Sequence, residues 1–432
     1  MSNVVVVGAG LAGSEAAWQL TRAGFDVVLY ESRPAVSTPA HQSADFAELV
    51  CSNSLGSAAP GTAKGLLVAE MECFDSMIVA AARETSVAAG KALAVDRQRF
   101  AARVTEILRQ QERIEIRTEE VVDLPDAPAV IATGPLTGDR LAAKLAAETG
   151  SEHLHFYDAT SPIVADDSID RDIAFLANRR SDDPGDYLNC PLDEAQYERF
   201  VQALNEADLV TPRGFEDQQV FEGCMPIEQI ARRGFDTLRF GPMRPVGLTD
   251  PRTGRWPYAA VQLRREDAAG QMWNLVGFQT RMTFTAQRDV LRLIPGLERA
   301  EFLRHGVIHR NTYVDGPRVL ARDLSLRNRP GVRLAGQLVG VEGYLESAAM
   351  GLWVARLTIA ALRGEPMPQL PAETILGALT QYVVASEKVP IQPMNANFGL
   401  LPPAEKRLSK RDRKLYYHER SLAALRAWLE TF

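Results

Sequence analysis

The stretch VVVVGAGLAGSEAAWQL, residues 4 to 20, decides the fold of this chain. Four valines form the short apolar run of a buried strand, and a glycine-rich turn then leads into a helix. Gly8 permits the tight turn, Gly10 lets the backbone approach a pyrophosphate, and Gly13 allows close packing between helix and strand. The N–H groups at the start of that helix point toward the phosphates, so this turn, which includes Ala9, predicts a dinucleotide-binding site.

The segments that follow extend this interpretation. DVVLYE, residues 26 to 31, reads as a second strand, and Glu31 at its end is suited to accept hydrogen bonds from both ribose hydroxyls. Two further apolar runs end in glycine: AVIATG at Gly134, and VRLAG at Gly336, ahead of a helix from about 345 to 362. This three-part arrangement resembles the glutathione-reductase-type FAD fold, in which the last segment closes over the flavin ring.

The middle of the chain is richer in proline, aspartate and aromatic residues. Its predicted elements are two strands and one helix: YAAVQL (258 to 263), MWNLVGF (272 to 278) and DEAQYERFVQAL (193 to 204). We therefore predict an α/β protein with a glutathione-reductase-type Rossmann FAD-binding domain. Residues 1–150 and 305–432 form that discontinuous domain, and residues 151–304 form an α+β insertion domain.

The composition excludes several classes of protein. Hydrophobic residues make up 46% of the 432 residues and charged residues 24%, values typical of globular domains with a sizeable core. No stretch reaches the roughly 18 consecutive apolar residues of a membrane helix, and the N-terminus lacks the features of a signal peptide. We therefore expect no membrane association and a cytoplasmic location. The 4 cysteines are too few for a disulfide scaffold and fit no metal-binding spacing.

Two of the cysteines occur in settings that suit a reactive thiol. Cys51 lies in FAELVCSNSLG, a stretch rich in serine and asparagine, and Cys224 lies in FEGCMPIEQIARRG, ahead of basic residues. At loop or loop–helix junctions a thiol can be exposed, and helix N-termini or nearby cations lower its pKa. Cys73, in a helix-like run, and Cys190, before a proline, fit the commoner role of a small buried hydrophobic residue.

Longer motifs resemble one family over nearly the whole chain. The matching stretches in the first half are VVVVGAGLAGSEAAWQL, TPAHQSADFAELVCSNSLGS, VDRQRF, ATGPLT and YLNCPL. Those in the second half are FEGCMPIEQIARRG, LRFGPMRPVGL, AVQLRRE, GFQTRM, HGVIHRNTYV, AGQLVGVEGYLESAAMG and QPMNANFGLLP. FEGCMPIE and QPMNANFGLLP have no generic explanation in composition or secondary structure. The chain resembles the folate- and FAD-dependent tRNA uracil-5-methyltransferases, smaller relatives of the GidA-type tRNA modification flavoproteins.

The resemblance implies an activity and its cosubstrates. Uridine 54 in the T loop of tRNA is methylated at C5, with carbon from 5,10-methylenetetrahydrofolate and electrons from NADH or NADPH through FAD. Its implied partners are the tRNA T arm and folate, and no protein partner is inferable. Because uracil C5 is a poor nucleophile, a thiolate that adds to C6 is needed to activate it. We assign Cys224 to this attack and place Cys51 near the flavin; the sequence leaves the reverse assignment open.

Several other residues are candidates for the same site. His309 in HRNTY stacks on the folate pterin or shuttles a proton, or is an ordinary core or surface histidine. Glu342 and Tyr344 lie where the closing segment meets flavin and folate. Arg97 faces a phosphate or the flavin, or forms a structural ion pair.

The closing segment also supplies backbone groups for the cofactor. Gly336, Gln337 and Gly340 bring the main chain close to FAD. Ser347 and Ala348, at the start of the following helix, offer N–H groups to the pyrophosphate or to the flavin O2.

Binding of tRNA requires cationic side chains on the surface. The net charge of −7 argues against indiscriminate nucleic-acid binding, but residues 404 to 426 contain eight Lys or Arg and three acids. Our candidates are this basic tail and the arginines of the insertion, namely Arg232, Arg233, Arg264 and Arg265. Two alternatives remain: a flavin oxidoreductase with a small-molecule substrate, and a non-catalytic tRNA-binding factor with structural FAD.

Overall fold

The computed structural model describes residues 3–38, 40–150, 154–179, 185–210, 225–387, 389–404 and 408–431. The helices in these ranges are α1 (Leu11–Arg22), α2 (Ala63–Glu72), α3 (Met77–Glu84), α4 (Arg97–Arg109), α5 (Asp139–Thr149), α6 (Glu194–Glu206), α7 (Ile227–Arg232), α8 (Thr237–Phe240), α9 (Phe284–Leu291), α10 (Gly316–Val319), α11 (Tyr344–Arg363), α12 (Ile375–Ala385) and α13 (Lys410–Leu429).

The strands in the same ranges are mostly short. They are β1 (Val4–Val7), β2 (Val27–Glu31), β3 (Ser54–Ser57), β4 (Ser86–Val87), β5 (Ala92–Val95), β6 (Ile114–Thr118), β7 (Ala129–Ile131), β8 (Leu154–Ala159), β9 (Ile163–Ala165), β10 (Phe175–Leu176), β11 (Tyr187–Leu192), β12 (Ala259–Arg265), β13 (Met272–Leu275), β14 (Phe302–Arg304), β15 (Ile308–Tyr313), β16 (Ser325–Leu326) and β17 (Arg329–Leu334).

A largely parallel sheet forms the centre of the first unit. Within the described residues its strand order is β16-β17-β7-β1-β2-β6, and β1 pairs in parallel with both β2 and β7. β17, from the C-terminal part of the chain, joins β7 in parallel. The carboxyl ends of β1, β7 and β17 therefore lie side by side, which brings the three glycine-ended runs to one edge of the sheet. The predicted Rossmann-type α/β fold is confirmed.

Helices α1 and α11 cover this sheet in close contact. A Cβ atom at Gly13 would lie 1.8 Å from the carbonyl oxygen of Gly8, and one at Gly351 would lie 2.1 Å from that of Ala12. Glycine is therefore the only residue that permits these approaches. Helix α11 is long and apolar enough to cross a membrane by length and composition, but 83% of its most apolar window is buried inside the protein. It is the central helix of this core.

A second sheet is built from the middle of the chain. Its order in the described residues is β10-β11-β12-β13-β9-β14, and each pair is antiparallel. Helix α6 packs on this sheet and begins with a capping box. The side chain of Asp193 accepts a hydrogen bond from the backbone N–H of Gln196, and the side chain of Gln196 accepts one from the backbone N–H of Asp193. Trp273, Phe200 and Phe278 are buried in a hydrophobic core separate from the first.

The two chain segments that connect the units also pair with each other. β8 and β15 pair antiparallel, with Leu154 opposite Tyr313, where the chain leaves the first unit and returns to it. β3, β5 and β4 form a small sheet beside the first unit. The division into residues 1–150 plus 305–432 and residues 151–304 stays a proposal.

Candidate functional site

Two adjoining cavities open at the carboxyl edge of the parallel sheet. The first has a volume of about 310 Å³ and the second about 130 Å³. Residues that line both are Gly10, His41, Ala132, Thr133 and Leu136. The cavities thus form one extended, two-lobed site, the shape expected for a dinucleotide.

The three glycine positions of the dinucleotide turn require glycine for different physical reasons. Gly8 has φ +96°, and a Cβ there would lie 2.7 Å from the carbonyl oxygen of Ala132. Gly13 is fixed by its contact with Gly8. By contrast, a Cβ on Gly10 would meet no atom of the described residues within 4 Å, and Gly10 lines both cavities. The fold does not require glycine at Gly10, so we attribute it to close approach of a ligand.

Glu31 lines the second cavity and is held in place by neighbouring donors. One carboxylate oxygen accepts from Ala9 N at 3.0 Å, and the other accepts from Arg33 Nε at 2.8 Å. Burial acts to raise the pKa of Glu31, but the hydrogen bonds and charge of Arg33 outweigh it and lower that pKa below its usual value. Glu31 is therefore an ionised acceptor, as binding of ribose hydroxyls requires.

Tyr344, the first residue of α11, positions the candidate thiol. Its phenol oxygen accepts hydrogen bonds from the backbone N–H of Cys51 at 2.7 Å and of Ser52 at 3.1 Å. Burial and the neighbouring Cys51 raise the pKa of Tyr344, so the phenol remains neutral at physiological pH. The partly buried Cys51 lines the first cavity, and its Sγ lies 3.7 Å from the carbonyl oxygen of Ala159.

Arg97 braces the segment that carries Cys51. We call residues 40–53 the cysteine loop. Arg97 donates from Nη1 to the carbonyl oxygen of Leu49 at 2.8 Å and pairs through Nη2 with the buried Glu266 at 2.9 Å. Arg304 donates to the carbonyl oxygen of Val50 at 2.8 Å. Of the roles that the sequence allowed for Arg97, the structure therefore shows the ion pair. Arg97 is not among the residues that line the two cavities.

The closing segment contributes two further polar side chains to the first cavity. Gln337 donates a hydrogen bond to Glu342, and both line the cavity. Gly134, Gly336 and Ser347 also line it.

Three glycines of the closing segment have positive φ angles, +73° at Gly336, +94° at Gly340 and +117° at Gly343. A Cβ on Gly340 would lie 2.6 Å from the side chain of Ile391, so this glycine is required by packing. Gly340 and the buried Ala348 do not line either cavity.

The structure adds residues that the sequence interpretation missed. Asn311 on β15 lines the first cavity and is 1% exposed, yet neither its Oδ1 nor its Nδ2 has a hydrogen-bond partner among the described residues. A buried amide without partners is costly, so these atoms are suited to bond a ligand. Lys64 lines the same cavity, with Nζ 3.4 Å from the buried carboxylate of Glu346. The sequence offered one signal for Asn311: it follows the predicted His309 by two positions in HRNTY, a spacing at which the residues of a strand are expected on the same face.

Two predicted site residues have no described side chain. Cys224 lies outside the described residues. The backbone of His309 lies in β15 opposite Asp158, but its side chain is not among those the structure describes. The roles assigned to these two residues stay predictions.

The residues of the two cavities fit FAD. Gly10 leaves room for the pyrophosphate, the ionised Glu31 suits a ribose, and the unpartnered amide of Asn311 suits the polar edge of a ring system. No group in this set conflicts with that ligand.

Comparison with known proteins identifies the family. Residues 3–366 match the model of the family described as glucose inhibited division protein A. Methylenetetrahydrofolate–tRNA-(uracil-5-)-methyltransferase TrmFO of Desulforudis audaxviator is 53% identical over 99% of this chain and 98% of the relative. The protein of the same name from Bacillus cereus is 49% identical over 98% of each.

A solved structure shares the fold at lower sequence identity. GidA of Aquifex aeolicus superposes with a TM-score of 0.71 at 18% identity, covering 99% of this chain and 73% of that one. The family model and the full-length relatives together decide membership. The chain belongs to the glucose inhibited division protein A family and, within it, to the methylenetetrahydrofolate–tRNA-(uracil-5-)-methyltransferases.

Proposed function

We propose that this chain methylates C5 of a uracil in tRNA with carbon from 5,10-methylenetetrahydrofolate. The observation that carries the proposal is the Cys51 thiol, which lines the same cavity as the start of α11 and the glycine-ended closing segment. In relatives about half identical over the full chain, the name states this reaction. FAD, when bound, supplies the redox-active ring that carries electrons from NADH or NADPH to the transferred carbon.

The described residues perform the binding and positioning. Gly10 admits the pyrophosphate and Glu31 accepts from a ribose, which anchors the adenosine half of the cofactor. Tyr344 keeps its proton and fixes the backbone at Cys51, so the thiol is held beside the first cavity. Because Tyr344 is neutral, we do not assign it as the base that removes the C5 proton.

The finer steps belong to the same proposal. A thiolate forms a bond to uracil C6, and the electrons of the C5=C6 bond then make C5 nucleophilic. After the methylene is attached, a base takes the C5 proton and the bond between that carbon and its donor nitrogen breaks, which leaves an exocyclic methylene on the ring. A hydride equivalent that originates from NADH or NADPH then reduces this methylene to methyl as the C6–S bond breaks, which restores the ring and releases the thiolate. We propose Cys224 for this attack, Cys51 for a supporting role near the flavin, and uridine 54 of the T loop as the target. The site of action is the cytoplasm.

The tRNA-contact residues need one correction. Arg264 is only 7% exposed and donates from Nε to Asn53 at 2.9 Å, so it holds the two units together and does not face solvent. Arg232 and Arg233 are exposed and remain candidates. The basic tail lies on α13 and the residues before it, and the side chains of Lys410 and Arg411 are not among those described.

The test is an assay on unmodified tRNA transcript with labelled methylene in 5,10-methylenetetrahydrofolate, FAD and NADH or NADPH. We expect incorporation with folate and none when S-adenosylmethionine replaces it. Cys51→Ala should abolish or strongly reduce incorporation, whereas Cys190→Ala, at a buried thiol of β11, should not. Turnover of a small molecule without tRNA or folate would instead favour an ordinary flavin oxidoreductase.

A second experiment separates the two thiols. Transcript that contains 5-fluorouracil traps the covalent complex between enzyme and tRNA, because the fluorine that replaces the C5 hydrogen cannot be removed by a base. We expect the trapped complex with Cys51→Ala and not with Cys224→Ala. The reverse pattern would exchange the two roles.

A further inference from the structure

An exposed group of rings and arginines lies on the insertion, away from both cavities. It comprises Phe284, Arg288 and Arg292 from α9 and the residue after it, Phe302 from the edge strand β14, and Arg299 and His305 from the segments before and after that strand. We call these six residues the aromatic–arginine patch. They line an open surface cavity of about 500 Å³, together with Thr285 and Glu301.

Three rings of the patch form a column. The rings of Phe284 and His305 stack with centroids 4.6 Å apart, and those of Phe302 and His305 with centroids 5.5 Å apart. Phe284, at the outer end, is 57% exposed. Burial, with the charge of Arg288, lowers the pKa of His305 below its usual value, so the column is neutral at pH 7. An apolar ring this exposed offers a free face on which a planar base can stack.

The arginines around the column are poorly neutralised. Arg292 donates to the carbonyl oxygen of Ala300 at 2.9 Å, which orients it without cancelling its charge. Within the part of the chain that the structure describes, Arg288 pairs with the adjacent Asp289, and both side chains are half exposed. Among the residues lining the patch, Glu301 is the single carboxylate, against three arginines. The patch therefore has a positive excess suited to phosphate groups.

A short bonded path connects the patch with the cysteine loop. Gly306, next to His305, exchanges two hydrogen bonds with Gln287 of α9, each of 2.8 Å. Val307 and Thr160 are bonded to one another at 2.9 Å. The neighbouring Ala159 carbonyl is the group beside Cys51 Sγ. Side-chain and main-chain hydrogen bonds thus connect the patch to Cys51 through Gly306, Val307, Thr160 and Ala159.

From these contacts we propose that the aromatic–arginine patch binds an unpaired segment of the tRNA during methylation. One base stacks on the free face of Phe284, and the flanking phosphates lie against Arg288, Arg292 and Arg299. Unpaired bases of RNA are commonly recognised by stacking on aromatic rings, and backbone phosphates by arginine. The inference rests on the proposed function, since it names the surface through which that substrate is held.

The test measures tRNA affinity of the FAD-loaded enzyme at several salt concentrations. Phe284→Ala should weaken binding by about tenfold, the effect of losing one base stack, and Phe284→Trp should restore it. Arg288→Ala and Arg299→Ala should each reduce the slope of log affinity against log salt by about 0.7 to 0.9. Matched controls are Phe240→Ala, at a ring 82% exposed on α8, and Arg109→Ala on α4, which should leave affinity and slope unchanged.

Two results would overturn the proposal, and each differs from failure of the proposed function. If wild-type enzyme binds and methylates tRNA but Phe284→Ala binds as tightly, the patch does not contact the substrate. If Phe284→Ala changes the oligomeric state of the tRNA-free protein, measured by sedimentation, and leaves tRNA affinity intact, the patch is a contact between copies of this chain. Failure of the wild-type enzyme to bind or methylate tRNA would overturn the proposed function itself.

Discussion

The dinucleotide turn and the cysteine loop lie on the same cavity but are held in different ways. The turn is fixed by neighbours in the sequence: Gly13 packs on Gly8, and a strand and a helix flank them directly. The cysteine loop is fixed from far along the chain, by Arg97 at Leu49, Arg304 at Val50 and Tyr344 at Cys51. A change of backbone within the turn therefore disrupts the first region directly, whereas the second region depends on contacts with residues far along the chain.

The largest effect should come from the buried ion pair that braces the cysteine loop. Glu266→Ala leaves the charge of Arg97 buried without its partner, which typically costs about 3–5 kcal/mol of unfolding free energy. Denaturant unfolding measures the loss, and methylation should fall further than FAD content. Glu72→Ala, which breaks the exposed pair with Arg83, is the matched control and should change stability little. Equal effects of the two variants would show that Arg97 does not brace the loop.

The next effect separates two glycines of the turn. Gly13→Ala places a methyl group against the carbonyl of Gly8 and should destabilise the fold by about 1–3 kcal/mol or more. Gly10→Ala meets no protein atom, so thermal unfolding without FAD should be nearly unchanged while FAD affinity falls. Titration of apoprotein with FAD measures that fall. Normal FAD affinity in Gly10→Ala would remove our reason for placing the pyrophosphate there.

A smaller effect is expected at Tyr344. Tyr344→Phe removes the acceptor for two backbone N–H groups, and loss of such an acceptor costs about 1–3 kcal/mol. FAD should stay bound, and alkylation of Cys51 by a thiol reagent should become faster because the loop is looser. Tyr313→Phe, which loses one hydrogen bond to Ile391, is the control. Unchanged alkylation in Tyr344→Phe would contradict its positioning role.

The smallest effect on stability is expected at Asn311. Asn311→Leu removes an amide that has no hydrogen-bond partner in the described part of the chain, so stability without ligand should be unchanged or slightly higher. Affinity for FAD or for folate should fall by about tenfold, and separate titrations identify which ligand Asn311 bonds. Asn274→Leu, at a buried asparagine outside both cavities, should leave both affinities intact. Normal affinity for both ligands in Asn311→Leu would argue against a binding role.

The same contrast explains which features the sequence predicted. The helix expected at about 345 to 362 is observed as Tyr344–Arg363, because a left-handed glycine ends it at Gly364. The helix expected at 193 to 204 is observed as Glu194–Glu206. The strand expected at 272 to 278 stops at Leu275, because Gly277 adopts a φ of +79°. Hydrophobic periodicity, helix caps and glycine turns are signals carried by neighbouring residues, so the positions of helices and strands can be predicted from them.

Side-chain roles that depend on distant partners were not predictable in this way. Arg264 was expected on the surface, but strand β12 presents it to Asn53 of the other unit, where it is buried. The pairing of Arg97 with Glu266 joins residues 169 positions apart. The amide of Asn311 is buried with no hydrogen-bond partner among the residues that the structure describes, a feature that appears only once the chain is packed.

The most direct test of the account is the position of the transferred carbon in tRNA. Transcript incubated with labelled methylenetetrahydrofolate, FAD and NADH or NADPH is digested, and the labelled nucleoside is mapped. We predict label in 5-methyluridine at position 54, and its loss with Cys51→Ala but not with Cys190→Ala. Label in another nucleoside, or equal labelling by Cys51→Ala, would contradict the assignment of this cavity to uracil methylation.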